Sequence, residues 1–231
     1  MANRLTSQSF SLPFAVSVAL ILAALAWHWP YVSVGHLVHT DEFFSLERTL
    51  GFATQGDWWT VYSENEPSYK KPPMQYWLSA AAIEAGYDTV ASLRAVSISF
   101  FGLTLLGTAA LAWALFPERP WIAPLAMLLV ASSNIMWSHA LSAMLDTGAV
   151  AFGIGALAGA VKAMRQPAYW WAVVAMILLG ALQKAPVGLV FAGVYVWAFA
   201  ALYRGEPAAK PRLQSSHFRL GRWVALVSIF T

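Results

Sequence analysis

Of 231 residues, 59% are hydrophobic and only 11% are charged, and the mean hydropathy is +0.58. A water-soluble core of this size could not hide that much apolar surface, so a polytopic membrane protein is expected. The chain has no cysteine, which excludes disulfides, thiol nucleophiles and thiolate metal sites. The formal charge of +3 is small, and its distribution along the chain is more informative than its total.

About 20 apolar residues cross a bilayer. After a short N-terminal segment, 1–11, containing Arg4, the first such run extends from Leu12 to Tyr31. It is too long for a signal-peptide core, and no small-residue cleavage site follows it. Further apolar runs occur at 95–116, 121–138, 147–164, 169–183 and 186–203. The predicted fold is therefore all-α, a transmembrane helix bundle over 12–203 with about six spans. A basic loop, 204–222, follows it. A seventh span opens at Trp223 and stops at Thr231, which predicts that the sequence is the N-terminal portion of a longer protein.

The loop at 33–94 is long and carries most of the acids. Phe43, Leu46 and Leu50 recur at helical spacing there, with Thr40 or Asp41 as the expected N-cap. A second helix is expected to begin at Pro72-Pro73, with Met74, Trp77, Leu78 and Ala81 forming one apolar stripe. Helices of that kind lie in a membrane interface rather than across it. Farther on, Gly155 and Gly159 have the spacing that lets membrane helices approach closely.

Alternate loops differ sharply in charge. One side holds Arg4, Arg119, Lys162, Arg165, Arg204, Lys210, Arg212, Arg219 and Arg222 against only Glu118 and Glu206; the other holds five basic residues and nine acids. Basic residues collect on the cytoplasmic side, so the N-terminus is expected in the cytoplasm and the long loop outside. Trp27, Trp29, Trp113, Trp121, Trp137, Trp170, Trp171 and Trp223 sit near predicted span ends, as an aromatic belt requires.

This topology brings the candidate chemistry to one face. Asp41-Glu42 follows the first span: either a general base with its neighbour or two acids favoured by a helix dipole. Lys70-Lys71-Pro72-Pro73 precedes a helix N-terminus, where N–H groups already favour an anion; the lysines suit a phosphate, or anchor an interfacial helix by snorkelling. Arg94 and Lys184 mark the outer ends of the second and fifth spans, and Asp146 the entrance to the fourth, as an acid of the site or an N-cap. Tyr76 and His139 are secondary candidates. His36 and His39 flank the acids without a metal-ligand spacing, and no phosphate-cradling glycine loop occurs. The sequence supports neither a divalent metal nor a nucleic-acid partner.

The acid pair after the first span, Lys71-Pro-Pro-Met-Gln-Tyr-Trp-Leu78, Leu93-Arg94, Met144-Leu-Asp146 and Gln183-Lys-Ala-Pro-Val-Gly188 resemble the polytopic lipid-linked-sugar glycosyltransferases, with their lipid A aminoarabinose transferases and protein O-mannosyltransferases. The resemblance runs over about 12–203. It implies a larger helical bundle with an outer C-terminal domain and a polyprenyl-phosphate-linked sugar as donor. The acceptor would be lipid A, a protein or another envelope glycan, at the periplasmic face of a bacterial inner membrane. On this chain it implies Asp41 as general base, Lys71 as a ligand of the donor phosphate and Asp146 as a second acid that helps place acceptor or base. Glu42 is added to the catalytic candidates, and Lys70, Arg94 and Lys184 to those at the phosphate. Lys70 stands where the aminoarabinose branch often has Glu, so neither a metal there nor that sugar is implied. A transporter or flippase, or a non-catalytic lipid-binding partner protein, remains as the alternative.

Overall fold

The computed structural model describes residues 2–185 except Val38, together with Gly193. The described residues belong to one compact unit. The expected sixth span, the basic loop and the seventh span lie outside them.

The bundle is built on α4 (Thr89–Leu115), capped by the Asp88 side chain, whose Oδ1 accepts from Ala91 N–H at 2.8 Å. Its 27 residues extend about 40 Å. It packs against α7 (Asp146–Ala163) and α5 (Ile122–Ala131), and 61% of its most apolar window is buried. By contrast α1 (Ala2–His28), which contacts α4 and α5, has only 11% of its window buried. So α4 is the core helix, whereas α1 presents its apolar surface outward, as a lipid-facing helix does. Phe101, Leu105, Ala109 and Met127 form the main apolar core between α4 and α5.

Among the described residues, Phe10–Tyr31 and α4 are long and apolar enough to cross a membrane. The run expected to be one span at 121–138 is instead α5 and α6 (Asn134–Ala140), bent by 69°. The break falls at Ser132-Ser133-Asn134, residue types whose side chains compete for backbone groups. Ser132 Oγ donates to the Leu129 carbonyl at 3.0 Å and the Trp137 indole N–H donates to the Ala131 carbonyl, so exposed carbonyls at the break regain partners.

α7 packs on α8 (Trp170–Lys184) through its small residues. A Cβ at Gly155 would lie 3.0 Å from Met176 Sδ, and one at Gly159 would lie 3.1 Å from Val173 Cγ2. The Gly155/Gly159 spacing thus serves close helix contact. Neither α7, with charges near both ends, nor the 15-residue α8 is both long and apolar enough to count as a span by itself.

The loop after α1 folds onto one end of this bundle as α2 (Thr40–Gln55), a short hairpin of β1 (Tyr62–Ser63) and β2 (Glu66–Pro67), and α3 (Met74–Glu84). The hairpin, with two residues per strand, is a small addition to an all-α fold. Its turn residues Glu64 and Asn65 have φ of 56° and 63°, and Glu47 holds the turn by accepting from Ser63 Oγ and Glu64 N–H. α2 ends on Gly56, whose φ of 67° is the left-handed stop that glycine adopts without strain. Its N-cap is His39, one residue before Thr40 and two before Asp41, the two expected positions.

In both loop helices the apolar stripe seen in the sequence is split: Leu46, Met74 and Trp77 pack against core clusters while the rest of the stripe faces outward. α2 turns Glu42, Ser45, Arg48, Thr49 and Phe52 inward and leaves Phe43 and Leu50 exposed. α3 buries Gln75, Tyr76, Ser79 and Ala80 and leaves Leu78 exposed. The buried faces mix polar and apolar side chains, with Phe52, Tyr76 and Ala80 beside Glu42, Arg48 and Gln75.

Candidate functional site

The two acids of Asp41-Glu42 separate immediately. Asp41 is exposed in the first turn of α2. Glu42 is 2% exposed; its Oε2 accepts from His39 N–H at 3.2 Å and its Oε1 from Ala143 N–H at 3.1 Å. The second bond joins the start of α2 to the segment leading into α7. Glu42 therefore fixes where Asp41 stands relative to Asp146. Its buried carboxylate accepts from backbone amides of two segments, which ties the start of α2 to the approach to α7.

Arg94 also bonds to backbone. Its Nη1 donates to the carbonyls of Tyr31 at 3.4 Å and Val34 at 2.6 Å, and its Nη2 to that of His36 at 3.0 Å. The side chain is buried and clamps the chain leaving α1 onto α4. Its two terminal nitrogens, aimed at three carbonyls, staple that segment in place.

Lys184 Nζ meets Asp146 Oδ1 at 2.5 Å, joining the C-terminus of α8 to the N-terminus of α7. Both positions suit the helix dipoles, a cation at a C-terminus and an acid at an N-terminus. These two candidates thus form one partly solvent-exposed pair, not separate charges. Lys70 is exposed and Lys71 half-buried, just ahead of α3, and neither forms an ion pair among the described residues. Tyr76 is fully buried, and its hydroxyl accepts from Arg48 Nη1 at 3.4 Å. Burial raises the Tyr76 pKa above 10.0; the Arg48 charge opposes that rise and the nearby Asp41 charge adds to it. His139 lies on α6 with Nδ1 buried and without a partner among the described residues. Among those residues no three His, Asp or Glu side chains come close enough to hold a metal.

Sequence reasoning missed the polar spine under these groups. Gln183 Nε2, on α8, donates to Gln75 Oε1 of α3 at 2.7 Å and to the Leu145 carbonyl at 3.1 Å. Gln75 Nε2 in turn donates to Ser97 Oγ of α4 at 3.2 Å. Four segments are thereby tied within one buried network. Gly148 is part of it, since a Cβ there would come within 2.5 Å of Gln183 Cδ and Nε2. A glutamine inside an apolar run is the sequence signal that could have flagged Gln183. Arg48, seven residues after Asp41, lies within 5.2 Å of the Phe44 ring centroid and 5.9 Å of that of Tyr76.

The folded loop and the helix ends gather at one pole of an apolar bundle with membrane-spanning helices, which defines the class as a helical membrane protein. The chain belongs to the dolichyl-phosphate-mannose-protein mannosyltransferase family, whose model matches residues 14–206. Its fold is similar to that of ArnT from Cupriavidus metallidurans in two crystal structures. The form bound to undecaprenyl phosphate matches with a TM-score of 0.63 at 19% identity, over 80% of this chain and 35% of that one. The apo form matches with a TM-score of 0.62 at 20% identity, over 80% and 36%. The chain thus spans about a third of the length of these relatives. No curated protein matches it.

Proposed function

We propose that the protein is a membrane glycosyltransferase that moves a sugar from a polyprenyl-phosphate carrier to an envelope acceptor, with its site at the periplasmic face of a bacterial inner membrane. The observation that carries this reading is that Asp41, Lys70-Lys71 and the Asp146–Lys184 pair belong to elements joined at one end of the bundle by Glu42–Ala143 and Gln75–Gln183. Family membership supports it, as does a similar fold binding undecaprenyl phosphate in ArnT.

In this mechanism Asp41 removes a proton from the acceptor hydroxyl as that oxygen attacks the anomeric carbon. The bond to the lipid phosphate breaks, and negative charge grows on the leaving phosphate. Lys71, assisted by Lys70 and the N-terminal N–H groups of α3, stabilises that charge. A single displacement inverts the anomeric configuration. Lys184 is held by Asp146 and orients it, so the pair shapes the acceptor side. Glu42 and Arg94 hold the frame.

The α5–α6 break is a feature shared with transporters, which use discontinuous helices around mid-membrane ionisable groups. Here the candidate charges lie at helix ends, which favours transfer chemistry. The test is release of polyprenyl phosphate from a polyprenyl-phosphate sugar by the full-length protein. Asp41→Asn should slow release by about 10²–10⁴-fold, the usual worth of a general base; release at the wild-type rate would contradict the assignment.

A further inference from the structure

The opposite end of the bundle carries a second site. A cavity of about 270 Å³ lies between the ends of α4 and α7 and the turn at Pro167–Tyr169. It is lined by Trp113, Lys162, Arg165, Gln166 and Tyr169, with Ala114 and Val161 at its apolar side. Lys162 is sixteen positions beyond Asp146 on α7, about 24 Å along the axis. The cavity is therefore remote from the outer-loop site.

Its chemistry selects an anion at an apolar boundary. Lys162 Nζ stands 5.3 Å from the Tyr169 ring centroid, and neither Lys162 nor Arg165 has a carboxylate partner among the described residues. The C-terminal carbonyls of α7 favour a cation nearby, and Lys162 in the last turn meets that need. Arg165, beyond the helix end, is a second cation directed at the same cavity. Trp113 is fixed: its indole N–H donates to the Pro120 carbonyl at 3.2 Å, and its ring packs on Phe10 and Phe14 of α1. Fixed Trp and Tyr rings mark the level where headgroups meet hydrocarbon, and a basic pocket between helices at that level suits a lipid phosphate.

We propose that this groove binds the headgroup of an anionic phospholipid in the leaflet opposite the Asp41 site. The phosphodiester sits between Lys162 and Arg165, its polar substituent meets Gln166, and the acyl chains pass along the exposed apolar flank of α8, where Trp171 and Val174 face outward. The site does not depend on sugar transfer.

Native mass spectrometry of the full-length protein, with phosphatidylglycerol and phosphatidylcholine in competition, tests this. Wild type should retain phosphatidylglycerol preferentially, and Lys162→Gln/Arg165→Gln should cut that preference about thirtyfold, at roughly fivefold per basic side chain at an anionic surface. Lys162→Arg/Arg165→Lys should keep it. Polyprenyl phosphate binding, read in the same spectra, should be unchanged and shows that the variants are folded. If the double variant does not fold, Arg165→Glu alone, at an exposed position, should abolish the preference. Equal retention of the two lipids, an undiminished preference in the Gln or Glu variants, or displacement of phosphatidylglycerol by millimolar inorganic phosphate would overturn the proposal.

Discussion

Replacing Glu42 by Gln separates a structural clamp from a catalytic acid. The carboxylate accepts from Ala143 N–H at 3.1 Å through Oε1 and from His39 N–H at 3.2 Å through Oε2, and is 2% exposed. Glutamine keeps the shape but has one acceptor oxygen; its NH₂ must face one of the two amide donors. The bond lost is to a charged acceptor, worth about 1.5–3 kcal/mol, and the buried amide left without a partner adds to the penalty. The net cost is about 2–4 kcal/mol, most of it felt at the junction between α2 and the segment before α7. For a chain of this size that corresponds to a fall in Tm of about 4–16 °C. Thermal unfolding of the full-length protein in detergent measures it, and hydrogen exchange at the Ala143 amide should rise with it. Asp41→Asn, at an exposed carboxylate, should leave both unchanged while reducing turnover. A Glu42→Gln protein that is inactive yet melts within about 1 °C of wild type would refute the clamp and place Glu42 among the catalytic acids.

Gly148→Ala should cost about 2–4 kcal/mol, because the added methyl displaces Gln183 from Gln75 and Leu145; Gly148→Ala combined with Gln183→Ala should recover part of the loss in Tm. Arg94→Met should destabilise by about 3–5 kcal/mol, since three carbonyls lose a charged donor, and should abolish transfer through misfolding of the loop, visible as increased proteolysis of residues 31–40. Asp57 lies outside the spans and its carboxyl is held below 3.8, chiefly by the Trp59 N–H, which donates to Oδ1 at 2.8 Å. The ionised form is favoured in the fold, so its contribution is complete above pH 3.8 and fades as pH falls through the lowered value. Hydrogen exchange in the 57–67 loop should quicken over that acidic range, and Asp57→Asn should flatten the response.

The helical membrane fold and the two longest apolar helices, Phe10–Tyr31 and α4, were legible because hydropathy is a property of sequence alone. The helices around Phe43 and after Pro73 were legible too, from spacing. Which face of α2 and α3 turns inward was not, because the stripe is split: Phe43, Leu50 and Leu78 point outward. The bend at Ser132-Ser133 was hidden because the apolar run continues through it, and hydropathy does not register a competing hydroxyl. The partners of Arg94 and Glu42 were not legible, because they are backbone carbonyls and amides that carry no sequence signature. The Gln75–Gln183 bond spans 108 residues and no local pattern announces it.

The central claim is a lipid-phosphate site at Lys71 beside a separate base at Asp41, and native mass spectrometry of the full-length protein with added polyprenyl phosphate tests it most directly. The account predicts one bound lipid per protein, lost in Lys71→Ala and kept in Asp41→Asn. Binding indifferent to Lys71, or no binding by the wild-type protein, would contradict it.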